Sequence, residues 1–393
     1  MTTYEIIIIL CGLIIFSYFF EIFARHTKVP AVLLLLATGI GLGLVSDVFQ
    51  FPTVNLSRIL PLLGTVGLIL IVLEGALELH FTPEKKKVIF KTLGAAFFLL
   101  LISTLLIGGF FVFITGVSYK TCLLNAVPFS TISSAIAIPS VVHLMAPQKE
   151  FVVYESTFSD IIGIMLFNFL LYNEQIHAGS FVGVALETVI ILVVAALFSF
   201  FLLYLLRRIE HHVKFFLILA ILILIYAIGK QYHLSTLIII LVFGLFLNNT
   251  QLFKFQWFTK LFQYADFEKD LQQLHLLTAE SAFLLRTFFF VIFGFTMELS
   301  LLANQQILIN GLAVASMIYL LRGLYLRFAA RENLSPILFI SPRGLISILL
   351  FFSILDSRRL LGIDTALCDS GNQRRDDLWL GQGEGAARCR YAN

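Results

Sequence analysis

Apolar residues come in long runs along this chain, and charged residues fall almost entirely between them. Twelve runs can be read, at roughly 5–24, 31–49, 59–79, 91–114, 121–142, 151–173, 181–206, 214–229, 234–248, 279–302, 306–328 and 336–355. Most approach the ~20 residues a helix needs to cross a bilayer. In hydrocarbon only a helix or a closed barrel satisfies its own backbone, and apolar runs this long exclude the alternating strands of a barrel. The pattern predicts an all-α polytopic membrane protein of about twelve transmembrane helices. Stretch 251–275 differs, with Lys254, Trp257, Lys260 and Lys269 set among apolar residues. That pattern predicts an amphipathic helix on the membrane surface.

The loops give an orientation. One alternate set carries fifteen Lys and Arg, including Lys85, Lys86, Lys87 and Arg207, whereas the other carries only Arg58, Lys120 and Lys230. The richer side is expected in the cytoplasm, which puts the N-terminus outside and the protein, multi-pass, in the cell membrane.

The chain also echoes itself. Gly39 in the second run corresponds to Gly244 in the ninth, and Gly75-Ala76-Leu77-Glu78 ends the third as Gly294-Phe295-Thr296-Met297-Glu298 ends the tenth. The fifth and twelfth runs are both interrupted, one by Ser130 to Ser134 and Pro139, the other by Ser341-Pro342-Arg343-Gly344. All three pairs are seven runs apart. An odd offset makes paired helices antiparallel, so an inverted repeat is expected, with two broken, crossing helices. Such breaks at matching positions are the best sequence pointer to a transporter's substrate site.

Composition narrows the class. The chain is 59% apolar and only 13% charged. Its net charge of +3 is spread over short loops and implies no nucleic-acid partner. Cys11, Cys122, Cys368 and Cys389 have neither a disulfide nor a metal-ligand spacing. The start, Met1 to Glu5, lacks the basic flank of a secretory signal, so the first run is expected to be retained. With no nucleophile-base constellation, phosphate loop or cofactor motif, no enzyme and no cofactor is expected.

The chemistry concentrates in the sixth run, Tyr154-Glu155-Ser156-Thr157-Phe158-Ser159-Asp160. An ionisable group at membrane depth is a functional candidate by default. At about 100° per residue, Asp160 shares a stripe with Ser156, Gly163 and Phe167, while Glu155 shares another with Ser159. Asp160 thus has a narrow, small-residue face to itself, and Glu155 needs a partner elsewhere. The plainer alternative is a buried neutral acid with a structural role, or an acid in an interfacial loop. Three arginines lie within runs. Arg322 is mid-run and is the candidate partner for Glu155. Arg343, beside Pro342 in a broken helix, would hold freed carbonyls or line a water cavity. Arg286 is nearer a run end and is expected to snorkel. Glu74, Glu78 and Glu298 read as interfacial, and His143 as a core or loop histidine.

These residues resemble the monovalent cation:proton antiporters of the sodium/proton exchanger type. The matching pieces are Val29-Pro30-Ala31-Val32 with Gly39 and Gly41; Leu73-Glu74-Gly75-Ala76-Leu77-Glu78; Glu155 to Asp160; Phe288-Phe289-Phe290; and Pro342-Arg343-Gly344. The resemblance implies thirteen helices, a homodimer-forming scaffold and a mobile core. It implies that Asp160 carries cation and proton in turn, and that Glu155 pairs with a late arginine, best matched by Arg322. Oxygens around Thr131, Ser133 and Ser134 would join Ser156 and Ser159 in holding the ion. Two positions depart from the family pattern. Ser159 stands where Asn or Asp is usual, and Thr131 or Ser134 where an acid is usual.

The expected partners are therefore sodium or another monovalent cation, protons and lipid. With one titrating acid, exchange is expected to be electroneutral. A passive channel and a non-transporting membrane protein are the competing readings. The membrane domain is expected over 1–355, with scaffold helices mainly in 1–80 and 181–305 and the core mainly in 90–173 and 306–355. Residues 356–393 form a polar tail. Twelve runs leave the sixth without a repeat mate and put the tail's arginines outside, so the sequence after about Leu367 is expected not to be the ancestral end.

Overall fold

The computed structural model describes residues 3–27, 30–49, 59–141, 144–173, 178–209, 214–231, 236–250, 267–297, 304–330 and 335–354. The helices are α1 (Thr3–Thr27), α2 (Ala31–Phe49), α3 (Ile59–Glu78), α4 (Lys86–Thr115), α5 (Tyr119–Ser130), α6 (Ser134–Ser140) and α7 (Ala146–Tyr172). There follow α8 (Ala178–Arg208), α9 (Lys214–Gln231), α10 (Leu237–Asn248), α11 (Phe267–Phe295), α12 (Gln305–Leu324) and α13 (Leu345–Ser353). No strand occurs among the described residues. Seven segments there are long and apolar enough to cross a membrane, and three shorter apolar helices accompany them. The helix that holds Asp160, α7, is not among the seven. Its acids and hydroxyls lower its hydropathy, so its place depends on neighbours covering them.

Packing divides the helices into two groups. α2, α3, α8, α10 and α11 pack on one another, and so do α4, α5, α6 and α7. α12 packs on α4, while α13 packs on α5 and on α3. The internal echoes explain the first group. Gly39 on α2 meets Gly294 on α11 so closely that a Cβ on either would strike the other's backbone. Gly244 on α10 meets Leu73 and Ala76 on α3. Gly39 and Gly244 are corresponding positions, and so are Gly75 and Gly294. The pairing of α2 with α11 is therefore matched by that of α10 with α3, although Gly75 itself faces Thr157 and Gly244 meets its neighbours Leu73 and Ala76. Small residues let helix backbones approach where lipid supplies no hydrophobic drive between helices.

One sequence expectation is corrected. Phe267 to His275 do not form a separate surface helix but open α11, a single helix of 29 residues. At 1.5 Å per residue it is about 44 Å long and outruns a hydrocarbon core of ~30 Å, so its polar first turns extend beyond it. Residues 251–266, His143, Glu298 and the tail lie outside the described residues.

Candidate functional site

Helix α4 ends at Gly116, whose φ of 66° is left-handed and free of Cβ strain. Ser118 then caps α5, its hydroxyl accepting from the Thr121 N–H at 3.4 Å. α5 stops at Ser130, and Thr131, Ile132 and Ser133 run extended before α6 begins. A break in mid-membrane strands N–H and C=O groups, and each one left unpaired costs several kcal/mol. Here they are taken up one by one. The Ile132 N–H donates to Ser159 Oγ at 2.9 Å, and the Ser134 N–H donates to Asp160 Oδ2 at 3.0 Å. The Ser133 N–H donates to the Pro342 carbonyl at 2.9 Å. That bond joins the two breaks, since Ser341 to Gly344 is the non-helical stretch before α13. Gly344 sits against Ser133 and Ile136 with no space for a side chain.

The freed carbonyls go to the three arginines within the runs. Arg343 Nε donates to Phe129 O at 2.7 Å, and its Nη1 donates to the Ser341 carbonyl and hydroxyl. Arg322 Nε and Nη2 donate to Ile337 O at 3.2 and 3.1 Å, and Nη2 also reaches Ile340 O at 3.3 Å. Arg286 Nη1 donates to Ala135 O at 2.6 Å. Arg286 therefore does not snorkel. It is 9% exposed and points inward, because a carbonyl of the broken helix lies within its reach.

Helix α7 lies along the first break. Gly163 packs against Thr131 so closely that no Cβ fits between them. Asp160 and Ser159 are each 1% exposed. Asp160 Oδ1 and Ser133 Oγ are buried without a hydrogen-bond partner among the described residues. The Ser134 hydroxyl lies against the same carboxylate. Ser156 and Thr131 are buried too, but their hydroxyls donate to helix carbonyls about one turn back, Val153 O at 3.2 Å and Val127 O at 3.0 Å. Pro139 lies inside α6. The other stripe of α7 carries Glu155, which accepts from Arg322 Nη1 and Nη2 at 2.8 Å each. Both residues are at most 2% exposed, so this is a bidentate, fully desolvated pair.

A cavity of about 590 Å³ opens where α3 ends and α7 and α11 begin. Glu78, His80, Lys149, Tyr154, Glu268 and His275 line it. His80, in the loop after α3, has its pKa held below the usual value by burial and by Lys85 and His275, against the pull of Glu268. Glu74 is half-buried within the electrostatic reach of Arg286. The links missed from sequence are Arg286 to Ala135 and the cap on α3, where the Asn249 amide donates to Leu79 O at 2.9 Å. Among the described residues no group of three or more His, Cys, Asp or Glu is placed to hold a metal ion.

A buried carboxylate beside two crossing broken helices, in a bundle whose repeats exchange their contacts, is the architecture of a secondary transporter. The chain belongs to the sodium/hydrogen exchanger family, whose transmembrane region matches residues 8–367. Its fold is that of the sodium proton antiporter MjNhaP1 from Methanocaldococcus jannaschii, with a TM-score of 0.67 at 20% identity over 89% of this chain and 88% of that one. An electron-microscopy structure of the same antiporter gives 0.65 at 19% identity, over 90% and 85%. No curated protein sequence matches the chain. Family membership makes this a multi-pass transporter of the cation/proton exchange class rather than an enzyme.

Proposed function

We infer that this chain exchanges a monovalent cation, sodium first, for protons by alternating access, with Asp160 as the shared carrier. One observation carries the reading: Asp160 is buried in the break with one oxygen held by the Ser134 N–H and the other without a partner. A bare carboxylate in low dielectric is costly and must be neutralised. A proton does this, and so does an alkali cation completed by hard oxygens. Ser133, Ser134, Ser159, Ser156 and Thr131 supply hydroxyls and carbonyls for it. The two loads compete, and binding one releases the other.

The helix groups suggest what moves. α4 to α7 with α12 and α13 form the core in this reading, and α2, α3, α8, α10 and α11 form the scaffold. Glu155 and Arg322 tie α7 to α12 within the core, so they travel together. The cavity on the lysine-rich side would be the cytoplasmic entrance, with the N-terminus outside the cell membrane. Large apolar residues exposed on α1 and α8 leave room for lipid and for a second copy.

The test is reconstitution into vesicles with an internal pH dye, stepping sodium, potassium or lithium outside. Coupled proton movement that disappears in Asp160→Asn supports the reading. Cation flux without proton counter-flow would instead make the protein a channel.

A further inference from the structure

We propose that Arg286 is a positioning residue for the cation and proton site, acting through Ala135 and Ser134; this rests on the reading of Asp160 above. Pro139 lies inside α6. In an α-helix the carbonyl of residue 135 accepts from the N–H of residue 139, and proline has none. The Ala135 carbonyl, in the first turn of α6, is therefore orphaned by the sequence itself. Its donor comes from 151 residues away, as Arg286 Nη1 at 2.6 Å. Arg286 belongs to α11, which packs on α2 and α3 in the opposite helix group.

The carbonyl it holds is next to the working atoms. Ser134, the preceding residue, donates its N–H to Asp160 Oδ2 at 3.0 Å. The unpartnered Ser133 hydroxyl is one residue earlier. A half-helix of only seven residues cannot fix its own direction by length. A charge-assisted bond from a neighbouring helix can, because such bonds are short and about twice as strong as neutral ones. Among the described residues Arg286 shows no ion pair, although Glu74 lies within its field. Its guanidinium is committed to the carbonyl. Arg286 thus aims the first turn of α6, and with it the N–H and hydroxyls that face the ion.

A support of this kind changes affinity more than turnover. The full chain would be prepared as wild type, Arg286→Gln, Arg286→Gln with Pro139→Ala, and Asp160→Asn. Two readouts are taken: the sodium concentration that half-saturates exchange in vesicles, and the one that half-saturates thermal stabilisation in detergent. Arg286→Gln should raise both by about tenfold, as loss of an outer-shell support does, with far less change in maximal rate. Pro139→Ala supplies an N–H to the Ala135 carbonyl within α6, so in the Arg286→Gln background it should bring both back toward wild type. Half-saturation at the wild-type sodium level, or a rise that Pro139→Ala leaves untouched, overturns the proposal. If Arg286→Gln is not recovered folded, the double variant should be, and its equal failure also overturns it. Sodium stabilisation and exchange that survive in Asp160→Asn would remove the carrier reading together with this one. Their loss there, beside unchanged half-saturation in Arg286→Gln, removes only the role of Arg286.

Discussion

Asp160 and Glu155 are five residues apart on one helix and meet opposite fates. Asp160 keeps an oxygen without a partner, while Glu155 has both oxygens filled by Arg322. On the function proposed above, that difference separates a carrier acid from a structural one. Asp160→Asn preserves size and removes the titration, so coupled exchange should be lost while the protein still inserts. Proton-coupled uptake at the wild-type rate in that variant would refute the assignment. Breaking a buried pair by removing one partner costs ~3–5 kcal/mol. Glu155→Ala and Arg322→Ala should each lower the thermal midpoint in detergent. The double variant should lose clearly less than the two added together, and strictly additive losses would mean that the pair contributes no coupling. The separate faces of the two acids were legible from helical periodicity alone. So was the choice of Arg322, the one mid-run arginine outside a break. The assignment of Ser159 to the Glu155 stripe was too coarse, because the extended stretch 131–133 brings the Ile132 N–H to it.

At the scale of elements, the repeat and the breaks were readable because they are written in glycine, proline and serine. The contact made by Arg286 was not, because nothing in the chain near Ala135 names the helix that will lie beside it. The sequence does hold a signal: Pro139 orphans the carbonyl four residues back, and Arg286 has no acid three or four residues away in its own run to pair with. The extent of α11 was misread because Lys269, with Lys254, Trp257 and Lys260, gives 251–275 the pattern of a surface helix, whereas Lys269 lies in the polar first turn of α11. The glycine contacts give a graded test. A Cβ at Gly294 would strike the backbone of α2, which cannot give way, and one at Gly244 would meet mainly the Ala76 methyl and the Leu73 side chain. Nothing lies within 4 Å of a Cβ at Gly41. Overpacking costs about 1–3 kcal/mol, whereas Gly to Ala in an open helix gains up to ~1 kcal/mol. Thermal midpoints in detergent should therefore fall most for Gly294→Ala, less for Gly244→Ala, and not at all for Gly41→Ala. A lower midpoint for Gly41→Ala than for Gly294→Ala would show that the α2–α11 approach is not as close as described.

For the whole molecule, the proposed alternating access raises the question of how much charge would move with the core. Glu155 and Arg322 cancel within the core. In that proposal Asp160 is neutralised by whichever cation it carries, and Ser159 stands where a second carboxylate would have left a net charge. One proton should therefore exchange for one monovalent cation with no net charge crossing. The membrane potential acts on any imbalance with about 2.3 kcal/mol per elementary charge per 100 mV, a bias of roughly fiftyfold in the exchange equilibrium. The effect is large enough to measure in vesicles clamped with a potassium gradient and valinomycin, using sodium as the exchanged ion. Stepping the potential should leave the equilibrium and the rate of sodium–proton exchange unchanged in the wild type. In Ser159→Asp the added carboxylate lies beside the site and travels with it, so the same step should now bias exchange. A wild type that responds to voltage would mean that more than one proton accompanies each cation, and a second titrating group would have to be sought around the break. A Ser159→Asp variant that still exchanges but stays blind to voltage would mean that position 159 carries no charge through the field.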